Sequence, residues 1–192
     1  ESSGGTGNLG GALALPSDAF FELSIAGNTH WVKSGNYTLA GAIDVAAAGT
    51  AASPVNLKGY VTNRTTVTNG TDRPTIICGT NSLTFTGANW NVKNFILTAT
   101  SNNGLQFVGI GSTAENVKST NTGTATKYAF RSSGAGTKLI NCEAISTNGI
   151  AIYYSAASRI IGCYAHDSVT GISIGGSNID LLFNIIESNS TA

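Results

Sequence analysis

Gly149-Ile-Ala-Ile152 and Gly171-Ile-Ser-Ile174 stand about 22 residues apart and share one pattern, a glycine followed by alternating apolar side chains. Upstream, Ser82-Leu-Thr-Phe85, Gly104-Leu-Gln-Phe107 and Lys127-Tyr-Ala-Phe130 recur at nearly the same interval. Strand side chains alternate between faces, so Leu83 and Phe85, Leu105 and Phe107, Tyr128 and Phe130, Ile150 and Ile152, and Ile172 and Ile174 are expected to form one inward apolar column. A second series follows each of these by about a dozen residues: Asn94-Phe-Ile-Leu, Asn116-Val-Lys-Ser, Asn141-Cys-Glu-Ala, Gly162-Cys-Tyr-Ala and Asn184-Ile-Ile-Glu. Asparagine tolerates a left-handed backbone, and turns stacked at the ~4.8 Å strand spacing let its amide bond to the turn above. A third apolar set (Val92, Leu139 with Ile140, Ile160 with Ile161, Leu181 with Leu182) completes each repeat.

Three short strands per turn with no helix between them specify an all-β parallel β-helix, a solenoid whose successive turns pair as parallel strands. A leucine-rich horseshoe would need an L-x-x-L-x-L consensus, and a propeller longer blades. A β-sandwich or jelly roll would show hairpins at an 8–12-residue rhythm. Asn69-Gly70 and Asn148-Gly149 fit hairpin turns, but hairpins do not reproduce columns one whole turn apart.

Composition agrees. The 192 residues are 41% hydrophobic and only 10% charged, with 24 glycines and no methionine, which disfavours both long helices and disorder. Ten basic residues balance ten acidic ones, so neither a nucleic-acid partner nor an anionic membrane surface is expected. No apolar run reaches the ~18 residues of a spanning helix, and the start has no signal-peptide pattern. Residues 1–15 are expected to be a flexible, glycine-rich attachment leader and 16–192 the β-helix, continuing beyond the given chain or covered at its end by a partner. Within Pro16 to Gly27, Ser17 and Asp18 are capping candidates for a short helix that closes the first turn.

The stretches Asn28 to Leu39, Ala48 to Tyr60 and Asp72 to Gly79 resemble the entry turns of right-handed, single-stranded parallel β-helix proteins of the pectate-lyase-like superfamily. His30 departs from that pattern, which has an aliphatic residue there. The resemblance runs from Asn28 to Ala192 and implies a fold before any reaction. The superfamily includes polysaccharide lyases, hydrolases and epimerases, together with phage tailspikes, fibres and virion surface proteins. It therefore implies polysaccharide contact, a virion or extracellular and cell-surface location, and a homo-oligomer, a trimer among phage relatives.

Lysis of an acidic glycan needs a cation to neutralise the sugar carboxylate and a base, while hydrolysis needs two carboxylates ~5–10 Å apart. Outward positions of the asparagine-led strands are expected to read Ile96, Lys118, Glu143, Tyr164, Ile186 in one column and Thr98, Thr120, Ile145, His166, Ser188 in the next. Lys118, Glu143, Tyr164 and His166, beside Asp167, form the catalytic candidate; the competing expectation is a plain Lys118–Glu143 surface ion pair next to a solvated tyrosine and histidine. Trp90, between Asn89 and Asn91, and Arg131 beside Tyr153 are the carbohydrate-binding candidates, against ordinary packing and an ordinary cation–π contact. Lys138, Arg159 and Asp180 should lie together by column, and His30 and Trp31 should pack. No acidic cluster or C-x-x-C spacing points to a metal, and no cofactor motif occurs. Cys142 and Cys163 fall one turn apart, where buried thiols are expected and a disulfide is geometrically open; Cys78 has no evident mate. Asn36, Asn63, Asn69 and Asn189 match the glycosylation pattern at chance frequency. A structural or recognition protein of a virion or surface is the leading function, because the face carries mostly hydroxyls and amides; a secreted polysaccharide lyase or hydrolase is the alternative.

Overall fold

In the computed structural model, which describes residues 13–14, 26–61, 72–124 and 126–190, the chain winds as an all-β parallel solenoid of about five turns. Every strand pairing among the described residues is parallel, as the repeat demands. Neither the leader nor the capping helix can be placed: both fall almost wholly outside the described residues.

Taken in chain order, the strands are β1 (Leu13–Ala14), β2 (Thr29–Lys33), β3 (Asn36–Thr38), β4 (Ile43–Val45), β5 (Val55–Tyr60), β6 (Thr75–Gly79), β7 (Leu83–Phe85), β8 (Trp90–Ala99), β9 (Leu105–Phe107) and β10 (Thr113–Asn121). They continue with β11 (Tyr128–Ser132), β12 (Thr137–Ile140), β13 (Glu143–Ser146), β14 (Ile150–Tyr154), β15 (Ser158–Ile161), β16 (Tyr164–His166), β17 (Thr170–Ile174), β18 (Ile179–Leu182) and β19 (Ile185–Glu187). One wall is the sheet β4-β7-β9-β11-β14-β17. The other two walls are limbs of one larger sheet, because β8 and β10 run unbroken through the corner between them.

That corner is the left-handed turn the asparagines announced. Asn94, Asn116 and Asn141 have φ of 63°, 52° and 51°, and the Asn116 amide donates to Asn94 Oδ1 at 2.8 Å, a rung of the expected ladder. Gly162 continues it at φ 61°, where a Cβ would lie 2.5 Å from Asn141 Oδ1. The next corner residue is Phe183, at φ 56°, one position before the expected Asn184. Asn184 instead takes the inward position after the corner, in the column of Phe95, Val117, Cys142 and Cys163, where its amide donates to the Ile160 carbonyl and its Oδ1 accepts the Cys163 N–H, both at 2.8 Å. It caps the apolar stack with hydrogen bonds that a burying aliphatic residue could not make.

The interior holds Phe85, Phe107, Phe130 and Ile152 on one wall, all buried. They fall into two columns, not one. Leu83, Leu105, Phe130, Ile152 and Ile172 stack, as do Phe85, Phe107, Ser132, Tyr154 and Ile174. The longer turn before β11 lets that strand run two residues further before meeting Leu105, so Tyr128 pairs with Ile150 outside the core columns. Burying a large apolar side chain of this kind contributes roughly 1.5–3 kcal/mol. The last described turn is open on one side, leaving Leu181, Ile186 and Ile174 exposed at 43%, 42% and 44%.

Candidate functional site

On β10, β13, β16 and β19 every second residue points outward, and register decides which side chains meet. The first outward column is Ile96, Lys118, Glu143, Tyr164, Ile185 and the second is Thr98, Thr120, Ile145, His166, Glu187. Ile186 and Ser188 do not belong to them. The corner lies at Phe183, one residue before the expected Asn184, so Ile186 pairs inward with Ala165 and Glu187 stands where Ser188 was expected.

The four catalytic candidates come together on this facet. Glu143 Oε1 accepts from Lys118 Nζ at 2.7 Å and lies 3.1 Å from His166 Nε2, which reaches diagonally back from the next turn. The other imidazole nitrogen, Nδ1, is 2.7 Å from Asp167 Oδ2, and Asp167 is aimed there by a left-handed backbone at φ 50°. His166 is thus clasped by two carboxylates, its side chain only 11% exposed against 64% for Asp167. Its ring stacks on Tyr164 at 4.0 Å between centroids and 19° between planes. The Tyr164 hydroxyl donates to Glu187 Oε1.

Electrostatics follow from these contacts. Burial opposes ionisation of Glu143, but the hydrogen bonds and positive charges of Lys118 and His166 outweigh it and hold the carboxyl below its ordinary range. The Tyr164 phenol is pushed up to about 12, first by its bond to Glu187 and further by desolvation and by the charges of Glu187, Asp167 and Glu143. Arg73 also belongs to the facet: its Nη1 donates to the Asn116 carbonyl at 2.7 Å and to Asn116 Oδ1 at 3.2 Å, and burial lowers its pKa against the opposing charge of Glu143. Sequence reading missed Arg73 because it stands 43 residues from Asn116, outside the repeat, and missed Glu187 through the one-residue shift.

The carbohydrate candidates separate. Trp90 is not an exposed platform: it is fully buried, its indole N–H donates to the Ala47 carbonyl at 2.6 Å, and its ring packs on Phe85 and His30. It opens β8 on an inward position, and alternation overrides the polar neighbours that suggested a turn. Arg131 and Tyr153 are direct partners across β11 and β14 on the outer side of the first wall. Arg131 Nη1 donates to Gln106 Oε1 at 3.1 Å, while Tyr153 stacks on Tyr128 at 5.0 Å and 25°. Tyr128 therefore joins this patch instead of the core.

The remaining expectations resolve simply. Lys138, Arg159 and Asp180 share a column, with Arg159 Nε 3.1 Å from Asp180 Oδ2. His30 is half-buried against Trp90, and burial lowers its pKa. Trp31 faces outward beneath the Lys58 ammonium, 5.4 Å from the ring centroid. Among the described residues, no three His, Cys, Asp or Glu side chains are grouped to hold a metal ion. Asn36 is exposed, Asn189 is tied by its amide to the Ala165 and Glu187 carbonyls, and Asn63 and Asn69 lie outside the described residues.

No protein-family model matches the chain, and no curated protein is similar to it. Among solved structures, an alginate lyase from Paenibacillus sp. str. FPU-7 is similar in fold at a TM-score of 0.53 and 14% identity, over 92% of this chain and 74% of that one. At that identity the likeness establishes the shared β-solenoid.

Proposed function

We propose that the chain is a polysaccharide-contacting β-helix of a virion or cell surface, with the facet of Arg73, Lys118, Glu143, Tyr164 and His166 as its glycan-binding face. The polysaccharide part is supported by the fold shared with an alginate lyase. One observation carries the preference for binding over cleavage: the titratable groups of this facet are spent on one another. Both nitrogens of His166 face carboxylates, Glu143 is shared between Lys118 and His166, and the Tyr164 hydroxyl is committed to Glu187. A general base needs a pKa near working pH and an open lone pair, whereas Glu143 is held low and Tyr164 high. What the facet offers a sugar is the Tyr164 ring, backed by His166, among the carboxylates of Glu143, Asp167 and Glu187 and the cations Lys118 and Arg73, a set suited to stacking on a glycan and hydrogen-bonding its hydroxyls. Assembly into a homo-oligomer, which would repeat this face, belongs to the same proposal.

A secreted lyase or hydrolase is the second reading, and one geometric fact favours it: an imidazole oriented by Asp167 and touching Glu143 is also how an enzyme positions a proton carrier. Calorimetric titration against a panel of uronate-containing and bacterial-surface polysaccharides, with unsaturated and reducing ends followed in parallel, separates the two. Binding without product is expected. Product that disappears in both Glu143→Gln and His166→Ala would replace binding with catalysis, and no binding to any polysaccharide of the panel would overturn the proposal.

A further inference from the structure

Cys142 and Cys163 occupy consecutive rungs of one inward column, each one residue before a member of the charged facet, Glu143 and Tyr164 respectively. Their strands are joined directly, the Tyr164 N–H donating to the Cys142 carbonyl at 2.8 Å. Parallel rungs stand ~4.8 Å apart at Cα, inside the 4.4–6.8 Å span of disulfides. Both are free thiols in the structure, almost fully buried, and in side-chain contact with one another. Each sulfur also reaches backbone carbonyls, Cys142 Sγ to Ile140 O at 3.4 Å and Ala114 O at 3.5 Å, and Cys163 Sγ to Ile161 O at 3.5 Å. Cys78 sits apart on β6, buried, with its thiol pushed up to about 12 by desolvation.

We propose that Cys142 and Cys163 are a cross-turn disulfide site, closed by thiol–disulfide exchange as the turns dock. The two thiols give their hydrogens and two electrons to a disulfide oxidant, such as oxidised glutathione, which leaves as two thiols; one Sγ–Sγ bond forms. The exchange takes place before burial is complete, since the folded column shields both sulfurs. The bond would tie consecutive turns at the point where the facet sits, fixing the spacing of Glu143 and Tyr164 independently of the polysaccharide reading.

The full chain is refolded in a glutathione redox buffer, trapped by alkylation and digested. A peptide pair linked through Cys142 and Cys163, with Cys78 alkylated, is expected; three alkylated cysteines, or a link through Cys78, would overturn the assignment. Closing a loop of this length raises the thermal midpoint by about 6–12 °C. Dithiothreitol should remove that increment from the wild type and from Cys78→Ala but leave the Cys142→Ala/Cys163→Ala variant unmoved. An equal response of all three proteins, or no response in the wild type, would sink the staple.

Discussion

Arg159–Asp180 and Lys118–Glu143 are both ion pairs between consecutive turns, yet they differ in kind. The first stands at 3.1 Å between β15 and β18, with side chains 58% and 54% exposed. The second is part of a network in which Glu143 also meets His166, and His166 meets Asp167. A solenoid supplies the first kind without special design, since any outward column brings opposite charges to rung distance. The second kind needs a diagonal partner from the neighbouring column and a left-handed residue, Asp167, to turn a further carboxylate back onto the ring. Convergence, not pairing, marks the facet.

Three measurements test that contrast. The largest effect is expected from Glu143→Gln, which removes the negative charge shared by Lys118 and His166 and should cost roughly 1–2 kcal/mol in urea unfolding, after allowance for solvent screening at a partly exposed site. A cost no larger than that of an exposed pair would erase the distinction. The next effect is its pH dependence. The folded-state pKa of Glu143 is depressed, so its contribution is complete above the unfolded value of 4.5 and is lost as pH falls through the lower folded value. The gap in thermal midpoint between wild type and Glu143→Gln should therefore be widest near neutrality and close in acid; a gap that stays constant into acid would show that charge is not its origin. Smallest is Asp180→Asn, expected within about 0.5 kcal/mol of wild type, with a residual that shrinks in high salt. A larger loss there would mean that isolated rung pairs matter as much as the network.

Much of this was legible in the sequence because periodicity is a global signal. The 22-residue rhythm fixed the parallel solenoid, the wall shared by Phe85, Phe107, Phe130 and Ile152, and the adjacency of Lys118 to Glu143. Register within a turn was less legible, since turn residues absorb insertions without altering the strand pattern. The longer turn before β11 hid a two-residue offset, and Phe183 hid a one-residue offset because asparagine is the ordinary occupant of a left-handed corner and a bulky residue there is rare. Arg73 carried no repeat signal at all. For Trp90 the polar neighbours suggested an exposed platform and packing was the competing expectation; strand parity decides for packing.

Each corner from Asn94 to Phe183 is held chiefly by the coil beneath it and the coil above. Length is thus a quantised property of this molecule. Adding or deleting one whole circuit keeps inside residues inside and outside residues outside, whereas a change of a single residue rotates everything beyond it unless a loop takes up the slack. The last two circuits, from Asn141 to Gly162 and from Gly162 to Phe183, keep one length, and the column closes at Asn184 with an amide instead of a methyl group.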